Sequence, residues 1–340
     1  MTRKPDRIAK LLSHRPAHGT SVEVAPYFNP ALPKVAGHDV LILDVFDTVT
    51  LRSRATEDQN IPTSLIDEIE DVDIVGDASA IGELLAAKGL TGSIAFVVSS
   101  HNFEHLPNPI RFLQGVEESL MPGGVLSMAI PDCRATFDHF RSPTRLIDWL
   151  IAYHDGYRQP TSDSLFDLQA NRAGFPVGAT MSGSCDWGTE NLQDARLVGD
   201  LRVAYDTWLE SRRATREYTD CHVSVVFDAQ FALLIEDLRF LGLIGLEVIE
   251  VTPNHGHEFF AHLRRPVSKA PQISQVAYMN RREILLRRIA AGLGDCASPG
   301  ARGLFSTWRQ PKAMVRKIVG KQIFDRVKVW NRARKARRTH

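Results

Sequence analysis

The chain has 340 residues, of which 44% are hydrophobic and 24% charged, and its formal net charge is +1. These values are ordinary for a soluble globular protein with a real core. The four cysteines are scattered without a CxxC pair, and no segment approaches the roughly 20 apolar residues of a membrane span. The composition therefore argues against a disulfide framework, a cysteine-built zinc site and a membrane-spanning protein.

Residues 1–20 form a basic segment without an apolar stretch of signal-peptide length, so we expect a cytoplasmic protein. Short β-branched runs predict strands at residues 21–24, 40–45 and 72–75. A helix-compatible segment follows at residues 81–88. Alternation of this kind favours a parallel sheet wound with helices.

Residues 93–132 read as strand, polar loop, helix, turn and strand, which is the order that a nucleotide-type cofactor fold needs. Residues 94–98 predict the first strand, and residues 125–130 predict the second. Between them, Asn108 can cap a helix that begins at Pro109 and that the Pro-Gly-Gly turn at residues 122–124 should end. Open α/β sheets bind ligands just past the carboxyl ends of their strands. The loop after the first strand is therefore a candidate site, and it opens with Ser99, Ser100, His101 and Asn102.

The pattern changes after Asp132, and we interpret residues 134–222 as an insertion. Within it, the sequence predicts a helix at residues 144–153, a loop at 174–188 and a mostly helical segment at 192–219.

Regular structure is expected to return with a helix that Asp228 caps, followed by strands at residues 246–251 and 257–263. So short a connection forces these two strands to run antiparallel, because a parallel crossover needs a dozen residues or more. The predicted fold class is α/β. A mostly parallel, Rossmann-like sheet with a C-terminal antiparallel hairpin would occupy residues 21–265.

Residues 266–311 are predicted to hold a linker and a helix at 279–291, and residues 312–340 a basic amphipathic tail. From residue 311 onward the chain has eleven Lys or Arg and one acidic residue. Three interpretations of the tail stay open: a helix docked on its own domain, a contact with an anionic membrane, or nucleic-acid binding. Nucleic acid is least favoured, since the aromatic side chains expected among the basic ones are missing.

Six segments together carry a resemblance to a known family: VEVAPYFNPALPK, LILDVFD, VDIVGDAS, SSHNFEHLPNPIRFL, LMPGGVLSMAIPD and HEFFAHLRR. Over about residues 21–132 and 228–265 the chain resembles the class I S-adenosylmethionine-dependent methyltransferases. It is most similar to a bacterial branch associated with surface polysaccharide synthesis. The resemblance implies six parallel strands and one antiparallel strand, S-adenosylmethionine as cofactor, and O-methylation of a glycan or glycolipid precursor.

The resemblance also implies roles for individual residues. Asp44 would accept hydrogen bonds from the ribose hydroxyls, Asp77 would lie near the adenine amine, and Ser100 would lie near the sulfonium. The turn under the methionine part of the cofactor would be Glu23, Val24, Ala25 and Pro26. Ala25 stands where the family has glycine, and Ala95 where it has an aspartate leading the fourth strand.

A hydroxyl acceptor needs a base, and His101 and His105 are the candidates because imidazole titrates near neutral pH. In a helical turn these two histidines would share a face and Glu104 would point elsewhere. An alternative is that His105 only packs against the sheet. A metal pair of His101 and His105, joined by His222, His255 or His257, is a further alternative, but the loop lacks the HExxH order and we predict no metal.

The acceptor is expected to meet the inserted region and the end of the fifth strand, and the candidate substrate-binding residues are Asp132, Arg134, His154 and Tyr157. Surface or structural ion pairs are the alternative reading for these polar groups. Two other functions stay open. One is a catalytically degenerate protein that keeps the fold as a binding or regulatory module. The other, a nicotinamide-dependent oxidoreductase, is less favoured because no GxGxxG follows the first strand.

Overall fold

The computed structural model of the protein describes residues 3–58, 61–186, 191–212, 218–268 and 273–295. The chain divides into two units, Met1–Ala291 and Gly292–His340. The second unit is described only at residues 292–295, which end a helix. The predicted tail at residues 312–340 lies outside the described residues.

The strands of the described chain are β1 (Ser21–Val24), β2 (Val40–Asp44), β3 (Ile74–Val75), β4 (Ile94–Ser100), β5 (Leu120–Pro131), β6 (Ala173–Val177), β7 (Thr180–Ser182), β8 (Arg196–Leu197), β9 (Glu247–Val251) and β10 (Glu258–Arg264). The α-helices are α1 (Arg3–Leu11), α2 (Thr48–Glu57), α3 (Ile81–Ala87), α4 (Pro109–Ser119), α5 (Leu146–His154), α6 (Ser162–Asn171), α7 (Leu201–Ser211), α8 (Asp228–Phe240) and α9 (Gln275–Asp295).

The main sheet has seven strands in the order β3-β2-β1-β4-β5-β10-β9. Strands β3 to β5 pair in parallel, whereas β10 runs antiparallel to both of its neighbours, β5 and β9. The predicted fold class is therefore confirmed: an α/β sheet, mostly parallel and Rossmann-like, with a C-terminal antiparallel hairpin.

Helices cover both faces of this sheet, which explains why its central strands are continuous apolar runs. One face packs Val97 of β4 against Phe112 of α4 and Leu234 of α8 in a single core. The other face packs Phe96 in a second core that includes Leu11 of α1. The N-terminal helix α1, which lies in the predicted basic segment at residues 1–20, therefore packs against the sheet.

The inserted region differs from its prediction in two places. The expected loop at residues 174–188 is wrong, because β6 and β7 form a hairpin around the left-handed Gly178. The expected, mostly helical segment at 192–219 is confirmed only in part, because β8 lies within it and α7 covers residues 201–211. Helix α7 begins where the Asp200 carboxylate accepts the N–H groups of Arg202 and Val203 as an N-cap. The helix at residues 144–153 is confirmed as α5.

Two helices have boundaries that differ from the predicted ones. Helix α4 ends at Ser119 and not at the Pro-Gly-Gly turn, because Leu120 already pairs with Ile94 as the first residue of β5. The helix expected at residues 279–291 is confirmed and is longer, as α9. Within the described residues, none of the helices combines the length and apolar character that crossing a membrane requires.

Helices α3 and α4 approach each other at two glycines. A Cβ added to Gly115 would lie 2.6 Å from the Gly82 nitrogen, and one added to Gly82 would lie 2.7 Å from the Gly115 Cα. Because both contacts are with backbone, only movement of a helix would relieve them.

We expect Gly115→Ala to lower the free energy of unfolding by about 1 to 3 kcal/mol through overpacking, despite the better helix propensity of alanine. Urea unfolding followed by circular dichroism measures this change. The control is Glu118→Ala, at an exposed position of the same helix. Equal stability of Gly115→Ala and the wild type would show that α3 and α4 are not in close contact.

Candidate active site

Three parallel strands end at one level, at the carboxyl edge of the sheet. The register pairs Val24 of β1 with Leu43 on one side and Ser99 on the other. Asp44 and Ser100, which end β2 and β4, therefore lie level with the residue that follows β1. Ligand sites of open α/β sheets form at this edge, and the candidates Ala25, Asp44 and Ser100 lie there.

The turn after β1 has an unusual backbone conformation. Ala25 has φ +49° and Tyr27 has φ +50°, both in the left-handed region that favours glycine. The Ala25 N–H donates to the Leu43 carbonyl at 2.8 Å, and the Pro26 carbonyl accepts from the Asn29 N–H at 3.0 Å. Ala25 thus adopts a left-handed conformation that costs a non-glycine residue about 1 to 2 kcal/mol.

Glu23 and Val24 lie beneath this turn. Val24 is buried in the core, and the Glu23 carboxylate accepts the N–H groups of Ala31 and Leu32 at 2.6 and 3.0 Å. Burial raises the pKa of Glu23 to about 7, although both hydrogen bonds lower it. Glu23 therefore fixes the chain that follows the turn.

Ala95 lies at the amino end of β4, away from the carboxyl edge. Its N–H donates to the Thr20 carbonyl at 2.9 Å. A Cβ built on Gly19 would lie 2.5 Å from the Ala95 Cβ, which shows how closely the two backbones pass. The missing aspartate at position 95 therefore has no bearing on the candidate site.

Two carboxylates follow β2 and β3. Asp44 is 4% exposed and accepts the Phe46 N–H at 3.0 Å. Burial raises the pKa of Asp44, while hydrogen bonds from the Phe46 and Val45 backbone act to lower it. Asp77 accepts the Ser79 N–H at 2.8 Å and caps a short 3-10 helix, in which the Ser79 hydroxyl is buried without a hydrogen-bond partner among the described residues.

At the end of β4, a network joins three distant parts of the chain. Arg7 of α1 donates to the Glu258 carboxylate at 2.7 and 2.8 Å and to the Ser100 hydroxyl at 2.7 Å. His101, with φ +52°, places Nε2 2.8 Å from the same carboxylate. Burial would raise the pKa of Glu258, but hydrogen bonds from His101 and Arg7 outweigh it and hold the pKa at about 2. The sequence analysis did not identify Arg7 or Glu258 as site residues. The one available signal was the position of Glu258 at the start of a predicted apolar strand.

The prediction that Glu104 points away from the two histidines is wrong. Its carboxylate is buried, and Oε1 lies 3.9 Å from His101 Nδ1 and 3.7 Å from His105 Nε2. The reason is that residues Phe103–His105 form a 3-10 turn and the left-handed His101 lies outside it, so the helical spacing does not apply.

His105 also contacts the end of the inserted region. Its Nδ1 lies 2.9 Å from the Asp220 carboxylate, and His222 Nε2 lies 3.8 Å from Glu104 Oε1. Burial lowers the pKa of His105, but the Asp220 hydrogen bond and the Glu104 charge outweigh this effect and the pKa is raised.

Asp132 and Arg134, the candidates after β5, bind each other. Arg134 donates to the fully buried Asp132 carboxylate at 2.9 and 2.6 Å and to Asp228 at 3.1 Å. Its guanidinium lies 4.3 Å from the centre of the Phe227 ring. These contacts support a structural ion pair, and a role in substrate binding stays a prediction.

His154 is exposed at the end of α5, whereas Tyr157 lines a pocket of about 600 Å³ beside α5, formed mostly by the inserted region. Arg141 lines the same pocket and donates at 2.7 Å to Asp138, whose other oxygen contacts His222 Nδ1 at 2.5 Å. Arg141 thus links the wall of this pocket to His222 through Asp138, and His154 does not line the pocket.

No protein-family model and no curated protein matches this chain. Among solved structures, it is similar to an S-adenosylmethionine dependent methyltransferase from Mesorhizobium loti, with 13% identity over 75% of this chain and 96% of the other, at a TM-score of 0.37. It is also similar to the glycopeptide N-methyltransferase MtfA complexed with sinefungin, with 16% identity over 76% and 93% of the two chains, at a TM-score of 0.35. These values are too low to assign an activity, a cofactor or a substrate.

The raised pKa of Glu23 predicts a pH dependence of stability. The carboxyl of Glu23 ionises near pH 4.5 in the unfolded chain and near pH 7 in the folded chain. Its contribution to the free energy of unfolding is therefore fully present below pH 4.5 and is lost as the pH rises through 7. Between pH 5 and pH 8, we expect the free energy of unfolding of the wild type to fall by on the order of 3 kcal/mol relative to that of Glu23→Gln.

Urea unfolding of both proteins across this range measures the difference. Asp67→Asn, at an exposed carboxylate, is the control and should follow the wild type. Parallel pH curves for Glu23→Gln and the wild type would contradict a raised pKa of Glu23.

Proposed function

We propose that the protein is an S-adenosylmethionine-dependent methyltransferase that methylates a hydroxyl oxygen of a glycan or glycolipid precursor. The observation that carries the proposal is the alignment at the carboxyl edge. There a left-handed turn at Ala25, the buried carboxylate of Asp44, Asp77 and the imidazole of His101 follow four neighbouring strands.

The side chains at this edge fit an adenosyl ligand. The Asp44 carboxylate has the acceptor capacity to bind two vicinal ribose hydroxyls, and Asp77 follows the next strand, where an adenine amine would be bound. The turn of Ala25 and Pro26 would support the methionine part. The cofactor supplies an electrophilic methyl group, and the protein contributes mainly by positioning the acceptor for in-line displacement.

His101 supports a hydroxyl acceptor. Glu258 holds the ring through Nε2, with Nε2 to Oε2 at 2.8 Å, and this leaves Nδ1 as the atom able to take a proton from the acceptor. The pocket beside Tyr157 has many polar residues in its wall, but His101 and the other candidates at the carboxyl edge do not line it: the polar residues include Arg141, Asp148, Gln159, Thr161, Asp163 and Ser164. The bacterial polysaccharide branch is supported by the SHNFEHLPNP and PGG segments alone.

One observation favours the second candidate function, a non-catalytic binding module. Arg7 already donates to Ser100 and Glu258, so part of the carboxyl edge is bound by the chain itself. Ala25 adds a methyl group where the family has none. A binding experiment separates the two functions.

We expect isothermal titration calorimetry to show S-adenosylmethionine binding to the wild type, with affinity reduced about 10- to 100-fold in Asp44→Asn through the loss of charged hydrogen bonds. The matched control is Asp39→Asn, which removes an exposed carboxylate at the opposite end of the same strand. It should bind like the wild type.

Absence of heat with millimolar S-adenosylmethionine or its demethylated product would favour the binding module. Binding that appears only in Ala25→Gly would locate the defect in the turn. An Asp44→Asn affinity equal to that of the wild type would contradict the ribose role of Asp44.

The basic tail at residues 312–340 lies outside the described residues, and we propose for it a peripheral contact with anionic membrane, with the rest of the protein in the cytoplasm. Cosedimentation with phosphatidylglycerol vesicles at low salt tests this role. Full-length protein should bind and residues 1–311 should not, because the truncation removes the cationic side chains. Neutral phosphatidylcholine vesicles are the control, and equal sedimentation of both proteins with anionic vesicles would contradict the proposal.

A further inference from the structure

The Glu104 carboxylate has an environment that the methyl-transfer chemistry does not explain. Glu104 is 1% exposed, and neither of its carboxylate oxygens has a hydrogen-bond partner among the described residues. Burying an unpaired carboxylate is costly, and proteins normally compensate it with hydrogen bonds, an ion pair or a metal.

Three imidazoles surround this carboxylate. His105 Nε2, His222 Nε2 and His101 Nδ1 lie 3.7, 3.8 and 3.9 Å from Glu104 Oε1. These distances are too long for hydrogen bonds. A tetrahedral zinc ion binds nitrogen and oxygen ligands at about 2.0 to 2.2 Å, so two of its ligand atoms lie roughly 3.3 to 3.6 Å apart. The separations of Glu104 Oε1 from His105 Nε2 and His222 Nε2, 3.7 and 3.8 Å, are slightly longer, and the ligand atoms of Glu104, His105 and His222 all lie within 4.8 Å of one another.

The imidazole rings of His105 and His222 are each held through Nδ1 by a further carboxylate. Asp220 lies 2.9 Å from His105 Nδ1, and Asp138 lies 2.5 Å from His222 Nδ1. Hydrogen bonds of this kind fix the tautomer in which Nδ1 carries the proton and Nε2 keeps its lone pair for a metal. Asp138 is itself held by the buried Arg141, so this support extends into the inserted region.

We propose that Glu104, His105 and His222 bind a divalent transition-metal ion, with Zn²⁺ as the representative. Two imidazoles and one carboxylate suit zinc and its neighbours better than Mg²⁺ or Ca²⁺, which prefer oxygen ligands. Three protein ligands leave a coordination position for another molecule.

The use of this site rests on the proposed function. His101 contacts the same carboxylate oxygen and is also the candidate base, so the ion would lie beside the acceptor. A metal-bound hydroxyl loses its proton more easily, and the candidate base His101 would take that proton. The acceptor class that fits is therefore a hydroxyl compound that can coordinate the ion.

The test uses full-length protein, freed of metal with a chelator and titrated with ZnCl₂ in a calorimeter. We expect about one equivalent bound at this site with a Kd on the order of a micromolar or below. Glu104→Gln and His222→Gln should each weaken binding by at least about 100-fold. Asp220→Asn, on an exposed side chain that holds His105 and is not itself a proposed ligand, should weaken it by about 10- to 100-fold.

Two histidine controls locate the ion. His18→Gln removes an exposed histidine. His14→Gln disrupts the other group in the described chain with suitable geometry, His14, Glu250 and His262. Both variants should still bind Zn²⁺ at the site of Glu104, His105 and His222. Co²⁺ provides a second readout, because d–d absorption bands in the visible should appear with the wild type and be lost in Glu104→Gln.

A wild type that binds no Zn²⁺ or Co²⁺ below millimolar concentration would overturn the proposal. So would full binding in folded Glu104→Gln and His222→Gln, with folding checked by thermal melting in chelator. The experiments distinguish failure of the metal site from failure of the proposed methyltransferase function. S-adenosylmethionine binding without metal binding removes only the metal site, and metal binding without S-adenosylmethionine binding removes only the methyltransferase.

Discussion

The parallel register of β1, β2 and β4 is the constraint on which the candidate site depends. It brings Ala25, Asp44 and Ser100 level at one edge, although they are far apart in the chain. A register shift of one residue along a strand would turn each side chain to the opposite face of the sheet. The apolar residues of β4, buried on both faces, oppose such a shift, so the core of the sheet also fixes the geometry of the site.

Buried carboxylates recur at this edge, and each is compensated in its own way. Glu23 accepts backbone N–H groups, Asp132 is paired with Arg134, and Glu258 binds Arg7 and His101. Glu104 differs, since only imidazoles at 3.7 to 3.9 Å approach it. The first three therefore hold loops, strands and a terminal helix in place, while Glu104 is the one of these four suited to an additional ligand.

Features set by local pattern could be predicted from the sequence, and features set by distant contacts could not. The run at residues 94–98 and the cap at Asn108 identify a strand and a helix because their causes lie within a few residues. Arg7 and Glu258 are 251 residues apart, and only the folded sheet shows that they meet. The direction of Glu104 required the left-handed backbone at His101, which non-glycine residues rarely adopt and sequence spacing does not reveal.

The position of β10 between β5 and β9 has a consequence for synthesis of the chain on the ribosome. Strand β5 can pair with β4 once both have been translated, but its other edge has no partner until Glu258–Arg264 has been translated and inserted. During that interval the nascent protein presents an unpaired apolar strand edge, the kind of surface to which other chains add. Chaperone dependence and the yield of recombinant protein are therefore expected to reflect how fast the last two strands of the sheet are delivered.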